Sequence, residues 1–289
     1  MNRPQPSDQI HRSNVVLAST HHDPEGRLYE QSARVLPTLA DIFAGLAIYM
    51  TSATQERSLA LLVEHGALVG REPPGQPTGL QTLGRGRRGA LALGLELGAP
   101  AILFCDFDRA LHWAEYYPAE LAHVAAQAHT HDLTILGRTQ RAFESHPHIQ
   151  RDTEAIVNQV FATVSGREWD VTAAARVLTR RAAEVILQGC PDETVGTDVS
   201  WPLFTARAGL TLGYIATEGL EFETADRHAD EVAAAGGLAR WIAQIDADPQ
   251  RWIERLEIAK IEVEAALPYL DKRATNDKGR RANIGKLIQ

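Results

Sequence analysis

Short apolar runs alternate along the chain with longer segments whose apolar residues recur every three or four positions. The runs predict buried strands at residues 15–20, 45–50, 67–70, 101–104, 133–138 and 210–215. The intervening segments predict helices at 28–42, around 59–63, from 90 onward, and at 113–127, 153–164 and 172–188. Because parallel strands are joined by helical crossovers, this alternation indicates an α/β fold with a mostly parallel sheet flanked by helices.

The pattern changes after residue 228, where only helical spacing remains, most clearly from Trp252 to Leu267. The polar stretch 139–151 has neither period and is predicted to be irregular. We therefore expect a loose tail at 1–12, a main domain at 13–228, a helical extension at 229–270 and a basic tail at 271–289.

Composition narrows the class of protein. The 289 residues are 44% hydrophobic and 23% charged, which is ordinary for a globular protein. A formal net charge of −8 argues against a general binder of nucleic acid or anionic membranes, and no apolar segment approaches the length of a membrane span. With only two cysteines, one of them in an apolar run, a reducing cytoplasm is the expected location. A homodimeric assembly is left open.

The strongest chemical signal follows the run 101–104, where two aspartates are separated by one residue. Asp106 and Asp108 come directly after this predicted strand. Because ligands of open α/β sheets lie beyond the carboxyl ends of the strands, both side chains fall where a ligand is expected. Carboxylates are hard oxygen ligands that suit Mg²⁺ or Mn²⁺, and Mg²⁺ takes its other ligands from phosphate and water. The sequence therefore predicts a metal–phosphate site.

A glycine- and arginine-rich stretch precedes that strand. Between Leu83 and Ala90 it contains three glycines and three arginines, namely Gly84, Arg85, Gly86, Arg87, Arg88 and Gly89. Glycines allow a backbone to approach a ligand, a helix N-terminus attracts anions, and guanidinium groups match phosphate oxygens. This stretch is therefore predicted to bind phosphate, although a solvated basic turn would have the same composition. The aspartate pair has a similar alternative, because isolated aspartates often cap helices.

The order of these features resembles that of the GT-A-fold glycosyltransferases, which use nucleotide-sugar donors. The stretch from Gly84 to Asp108 is similar to their basic helix start leading to a metal-binding Asp-x-Asp strand, and the resemblance spans roughly residues 13–228. It is nearest to the retaining mannosylglycerate synthase and glucosyl-3-phosphoglycerate synthase group. The resemblance implies a Rossmann-like GT-A domain and metal-dependent transfer of a sugar from a nucleoside-diphosphate sugar to a small acceptor, which we expect to be acidic.

The resemblance also implies roles for individual residues. The metal ligands would be Asp106, Asp108 and His228, the last because the group carries a histidine about a hundred residues after its aspartates. The nucleotide-sugar would contact Thr20, Ser52, Gly84, Arg87, Arg88 and Asp106. The expected catalytic residues are Asp198 and Arg138, and the expected acceptor-binding residues are Arg141 and Trp201. Asp198 equally suits a helix N-cap, Trp201 a place in the core, and His228 a solvated position.

Two departures from the pattern of the fold leave the contacts to the base, the ribose and the diphosphate open. The first strand ends in Ser19-Thr20-His21-His22 rather than in the turn common in the fold, and arginines stand where relatives often have lysine.

Two other functions are alternatives to the glycosyltransferase. A non-catalytic nucleotide-sugar-binding protein of the same fold is one alternative. A haloacid-dehalogenase-type phosphatase also has a strand ending in Asp-x-Asp. However, that motif has threonine or valine where this chain has Ala110, and it lies near the start of its domain.

Overall fold

A seven-stranded sheet forms the centre of the protein. The computed structural model describes residues 13–127 and 130–270. The strands are β1 (Val15–His21), β2 (Gly45–Met50), β3 (Leu68–Arg71), β4 (Ala101–Phe104), β5 (Leu133–Arg138), β6 (Ala175–Thr179) and β7 (Leu212–Thr217). Their order across the sheet is β3-β2-β1-β4-β6-β5-β7. Every neighbouring pair is parallel except the two that β6 makes.

Thirteen α-helices accompany these strands in the described part of the chain. They are α1 (Tyr29–Ile42), α2 (Glu56–Glu64), α3 (Leu83–Glu96), α4 (Phe107–Tyr116), α5 (Pro118–Gln127), α6 (Gln140–Glu144), α7 (His148–Ser165), α8 (Arg180–Gly189), α9 (Thr197–Arg207), α10 (Thr224–Arg227), α11 (Ala229–Ala234), α12 (Leu238–Asp246) and α13 (Pro249–Ala266). None of them is both long and apolar enough to span a bilayer. The expected α/β class, with a mostly parallel sheet flanked by helices, is confirmed.

Alternate residues of β1 show how the sheet is buried on both faces. Val15 and Leu17 belong to the core shared with α1, α2, α4 and α5. Val16 and Ala18 belong to the core on the opposite face, shared with α3, α7, α8, α9 and α13. A strand buried on both faces has no polar alternation, which is why the first four residues of β1 and all four of β4 are continuous apolar runs in the sequence.

The segment 172–188 differs from its prediction. It was expected to be one helix, but residues 175–179 form β6, an antiparallel strand between β4 and β5, and α8 begins only at Arg180. Apolar residues of β6 and α8 together imitate helical spacing over this short distance. The arginine of this strand, Arg176, is buried against the carboxylate of Asp198, a partner that local sequence does not reveal.

Two further segments differ from their predicted structure. The stretch 139–151 was expected to be irregular, but it contains α6 and the beginning of α7. The predicted helix 113–127 is two helices, α4 and α5, which meet at Tyr117. The amphipathic helix of the predicted extension is present as α13, and it packs on α7 and α9. The proposed tails at 1–12 and 271–289 lie outside the described residues.

One buried histidine between α6 and α7 makes stability depend on pH. The Nδ1–H group of His146 donates to the carbonyl oxygen of Ala142 at 3.0 Å, and Nε2 has no partner among the described residues. Burial, reinforced by the nearby positive charge of Arg138, lowers the pKa of His146 to about 3. Protonation is therefore easier in the unfolded chain, whose histidine pKa is about 6.5.

The consequence is a measurable loss of stability in mild acid. The stabilising contribution is complete above the unfolded pKa and is lost as the pH falls from about 6.5 toward the folded value. Between pH 7.5 and pH 5 the parent should lose about 2 kcal/mol more unfolding free energy than His146→Phe, which cannot be protonated. Urea unfolding of both proteins across this range measures the difference. Parallel pH profiles would show that His146 is already protonated, or exposed, in the folded protein.

Candidate functional site

A cleft of about 400 Å³ opens at the carboxyl ends of β1, β2 and β4. Thr20 of β1, Thr51 after β2 and Asp106 after β4 line it, and the loop before α3 closes one side. The strand order changes direction here, because β2 and β3 lie on one side of β1 and β4 lies on the other. Such switch points are where open α/β sheets bind their ligands.

Asp106 occupies the junction between β4 and α4. Its Oδ1 accepts a hydrogen bond from the Thr20 hydroxyl at 2.7 Å, and its Oδ2 lies 3.4 Å from a guanidinium nitrogen of Arg87. Burial alone would raise the pKa of Asp106, but the charge of Arg87 and the Thr20 hydrogen bond hold it below the ordinary aspartate value. The side chain is 25% exposed, so an ionised carboxylate is presented to the cleft.

Asp108 lies in the first turn of α4, and its side chain is 24% exposed. Its Oδ1 accepts from the backbone N–H of Arg109, and its Oδ2 accepts from the guanidinium of Arg227 at 2.9 Å. Arg227 also lines the cleft. A cation that uses Oδ2 of Asp108 would therefore take the place of Arg227.

The glycine- and arginine-rich stretch lies inside α3 rather than before it, because the helix begins at Leu83. Leu83 and Gly86, one turn apart, line the cleft. Gly84, the expected nucleotide contact, instead packs against α9 and its preceding loop, where a Cβ would lie 2.6 Å from backbone atoms of Glu193 and Thr194. Of the three glycines at the start of α3, Gly86 is the one that lines the cleft, so the choice of Gly84 is corrected.

The arginines of α3 also differ from expectation. Arg87 is buried and donates to the Thr197 hydroxyl at 2.8 Å and to Asp198 at 2.9 Å, so it reaches the cleft only through its contact with Asp106. Arg88 points to the end of α8 and donates to the carbonyl oxygens of Ile186, Leu187 and Cys190. Capping of a helix C-terminus replaces the predicted phosphate contact of Arg88.

Asp198 and Trp201, both in α9, lie behind the cleft and do not line it. Asp198 is 3% exposed and pairs with both Arg87 and Arg176. Trp201 is fully buried, with its ring 5.7 Å from that of Phe104. The expected catalytic role of Asp198 is therefore replaced by ion pairing, and the expected acceptor-binding role of Trp201 is replaced by packing in the core.

Neither arginine expected to act on an acceptor is free. Arg138 is buried and pairs with Asp170 and Glu154, each at 2.7 Å, so its expected catalytic role is replaced by a structural one. Arg141 is 52% exposed, but it pairs with Glu218 and Glu221. The acidic surroundings of Arg141 disfavour an anionic ligand there.

His228 is not brought to the two aspartates. Its Nδ1 lies 2.8 Å from a carboxylate oxygen of Glu231 and 3.1 Å from a guanidinium nitrogen of Arg27. The preceding residue, Arg227, points into the cleft instead. In the described ranges 13–127 and 130–270, no group of three or more His, Cys, Asp or Glu side chains is arranged to hold a metal ion. The predicted set of three ligands is thus reduced to a carboxylate pair.

Several cleft residues were missed in the sequence. Ser52 was expected to contact the nucleotide, but Thr51 lines the cleft, and the carbonyl oxygen of Ser52 accepts from Arg71 at 3.3 Å. Glu72, directly after β3, and His21, the last residue of β1, also line the cleft. Burial lowers the pKa of His21 to about 4, so its ring is neutral. The signal that could have found Glu72 is its position, since it follows a strand just as Asp106 does.

No family model matches this sequence, and no curated protein matches it. Solved structures of glucosyl-3-phosphoglycerate synthase from Mycobacterium tuberculosis are similar at 13% identity. The complex with UDP has a TM-score of 0.49, with 83% of this chain and 86% of that chain covered. The complex with Mn²⁺, UDP and glucosyl-3-phosphoglycerate has a TM-score of 0.48 at the same coverage. These names match the group that the motif order resembles. At such low similarity, a functional conclusion has to come from the residues of the cleft.

Proposed function

We propose that this protein is a metal-dependent glycosyltransferase that moves a sugar from a nucleoside-diphosphate sugar to a small-molecule hydroxyl acceptor. The observation that carries the proposal is the carboxylate pair Asp106 and Asp108 in a cleft at the switch point of the sheet. The cleft combines this pair with Gly86, where the backbone is open to a ligand, and with the guanidinium of Arg227.

The donor chemistry of the pair fits Mg²⁺ or Mn²⁺. Both side chains offer hard oxygen atoms, both are partly exposed, and a magnesium ion commonly needs only one or two protein carboxylates when phosphate and water complete its shell. Such an ion, when bound, neutralises charge that develops on a leaving diphosphate. No histidine is required, so His228 is left out of the proposed ligand set.

The protein residues around the pair hold the reacting groups in place. Thr20 and Arg87 fix the orientation of the Asp106 carboxylate through their contacts with its two oxygens. Arg227 adds a positive charge within the cleft, where guanidinium groups pair well with phosphate oxygens. The neutral ring of His21 lines the cleft, and its centroid lies 4.8 Å from that of the buried Phe107 ring, which packs behind it. The preorganised charges of Asp106, Arg87 and Arg227 can stabilise a transition state without rearranging as the reaction proceeds.

The acceptor is proposed only as a small molecule with a hydroxyl group. An acidic acceptor would need a free cation in the site, but Arg138 and Arg141 are both paired with carboxylates of the protein itself. Hydrolysis of the donor, in which water takes the place of the acceptor, therefore gives an assay of turnover that does not depend on the identity of the acceptor.

Calorimetry and turnover together test the proposal. We expect nucleoside diphosphates to bind the full chain in Mn²⁺ and to bind at least about tenfold more weakly in EDTA, because the carboxylate pair alone repels phosphate. We also expect slow, metal-dependent hydrolysis of a nucleotide-sugar. Binding without turnover of any donor in a panel would favour the non-catalytic alternative. Steady release of phosphate from an aryl phosphate in Mg²⁺ would favour the phosphatase.

A further inference from the structure

Glu72 is a buried residue that lines the cleft, and one of its carboxylate oxygens has no hydrogen-bond partner in the described part of the chain. It follows β3 directly, and its backbone N–H donates to the carbonyl oxygen of Met50 at 2.9 Å, which ties it to the sheet edge. The residue is only 6% exposed, yet its Oε2 atom accepts no hydrogen bond from any described residue. Buried carboxylates are normally hydrogen-bonded, so an unused acceptor at this position indicates a ligand with N–H or O–H donors.

The adjacent arginine, Arg71, does not donate a hydrogen bond to the Oε2 atom of Glu72. The guanidinium of Arg71 is held away by Glu56 and by the carbonyl oxygens of Ser52 and Thr54. Glu72 therefore offers its carboxylate to the cleft rather than to the adjacent arginine.

An aromatic wall stands in the same part of the cleft. The Tyr49 ring is packed so closely between β3 and α3 that a Cβ at Gly70 would come within 3.0 Å of it, and one at Gly89 within 2.6 Å. Both glycines thus leave room for a fixed ring. A flat, fixed wall with one charged acceptor beside it suits a planar ligand that carries hydrogen-bond donors.

The sheet places Glu72 at a definite distance from the carboxylate pair. Glu72 follows β3 and Asp106 follows β4, with β2 and β1 between them. Three strand spacings correspond to about 14 Å along the sheet edge. A nucleoside diphosphate lying along this edge, with its phosphates at Asp106 and Asp108, would have its base near Glu72.

We propose that Glu72 recognises guanine, so that the donor is a guanosine-diphosphate sugar. This inference rests on the proposed function and adds the identity of the base. A carboxylate only accepts hydrogen bonds, and guanine presents two adjacent donors, N1–H and the 2-amino group, that match its two oxygens. Uracil has a single N3–H flanked by carbonyl oxygens. Adenine and cytosine place a ring acceptor beside their amino group. Each of these three would set an acceptor against the carboxylate.

Calorimetry on the full chain in Mn²⁺ tests the proposal with GDP, UDP, ADP and CDP as probes. The parent should bind GDP about 10- to 100-fold more tightly than the other three, the range expected for a charge-assisted pair of hydrogen bonds. Inosine diphosphate, which lacks the 2-amino group, should bind the parent about tenfold more weakly than GDP. Glu72→Gln, which presents one acceptor and one donor, should reduce the preference for GDP over UDP to a few-fold. The matched control is Glu64→Gln, at an exposed position of α2.

The outcomes separate this inference from the proposed function. Equal affinities for GDP and UDP in the parent, or equal affinities for GDP and inosine diphosphate, overturn the role of Glu72 and leave metal-dependent binding intact. A GDP preference that survives in Glu72→Gln does the same. If none of the diphosphates binds in Mn²⁺, the proposed function fails and the inference fails with it. The comparison with inosine diphosphate uses the parent alone, so it holds even if the variant folds poorly.

Discussion

Asp106→Asn is expected to lower metal-dependent turnover of the donor by about 100- to 1000-fold, the range seen when one charge-stabilising group is removed from an active site. Asparagine keeps an oxygen that can accept from Thr20, so the local hydrogen bond of the parent is retained. The variant loses the negative charge that makes this position a ligand for a divalent cation. Turnover should therefore fall while the fold is unchanged.

Initial rates of donor hydrolysis over a Mn²⁺ titration measure the effect, with thermal unfolding as the check on folding. Asp152→Asn, at an exposed position of α7, is the matched control and should keep the parental rate. Thr20→Val is expected to have an intermediate effect, because it removes only the hydrogen bond that orients the carboxylate. An Asp106→Asn variant with the parental rate and the parental metal requirement would contradict the assignment of the site.

The position of the cleft could be predicted because its signals are local. A strand buried on both faces is a continuous apolar run, and the residues after such a strand necessarily lie at the sheet edge. Asp106 follows this rule and lines the cleft, as does Thr20 after the apolar part of β1. Glu72 follows the same rule, but a single glutamate after a short strand attracts less notice than a pair of aspartates.

The direction of side chains could not be predicted in the same way. A cluster of glycines and arginines indicates a helix start, but the residue at which the helix begins decides which side chain faces the ligand. Because α3 begins at Leu83, Gly86 faces the cleft and Arg87 faces the core. A similar single-residue difference separates Arg227, in the cleft, from His228, outside it.

Buried ion pairs were the least predictable feature. Arg138 and Asp198 are charged residues near predicted strand ends or turns, which in sequence are typical of an active site. Their partners Asp170 and Arg176 are distant in sequence or lie in a strand whose spacing imitates a helix. Only the tertiary structure brings such partners together, so a charged side chain that is fully neutralised in the core cannot be distinguished from a catalytic one beforehand.

Asp198→Ala is the substitution that distinguishes these two roles most directly. Asp198 pairs with Arg87 at 2.9 Å and also with Arg176, and all three side chains are almost completely buried. Burial lowers the pKa of Arg176, whereas the charge of Asp198 opposes that shift. Removing the carboxylate leaves two buried guanidinium groups with less compensation. The unfolding free energy should fall by about 3–5 kcal/mol, as when one partner of a buried ion pair is deleted.

Urea unfolding at neutral pH measures this loss. The exposed control Asp152→Ala should stay within about 0.5 kcal/mol of the parent. Turnover should be measured at a temperature where the variant is fully folded. Asp198 is linked to Asp106 through Arg87, which pairs with both carboxylates. In the folded variant we expect turnover to fall by no more than about tenfold, the effect of losing one indirect orienting contact. A contrary result would be the loss of turnover in Asp198→Ala with an unfolding free energy within about 1 kcal/mol of the parent. That result would restore the catalytic role that the sequence suggested. The reason is that removing a purely structural carboxylate from between two buried arginines costs much more than 1 kcal/mol.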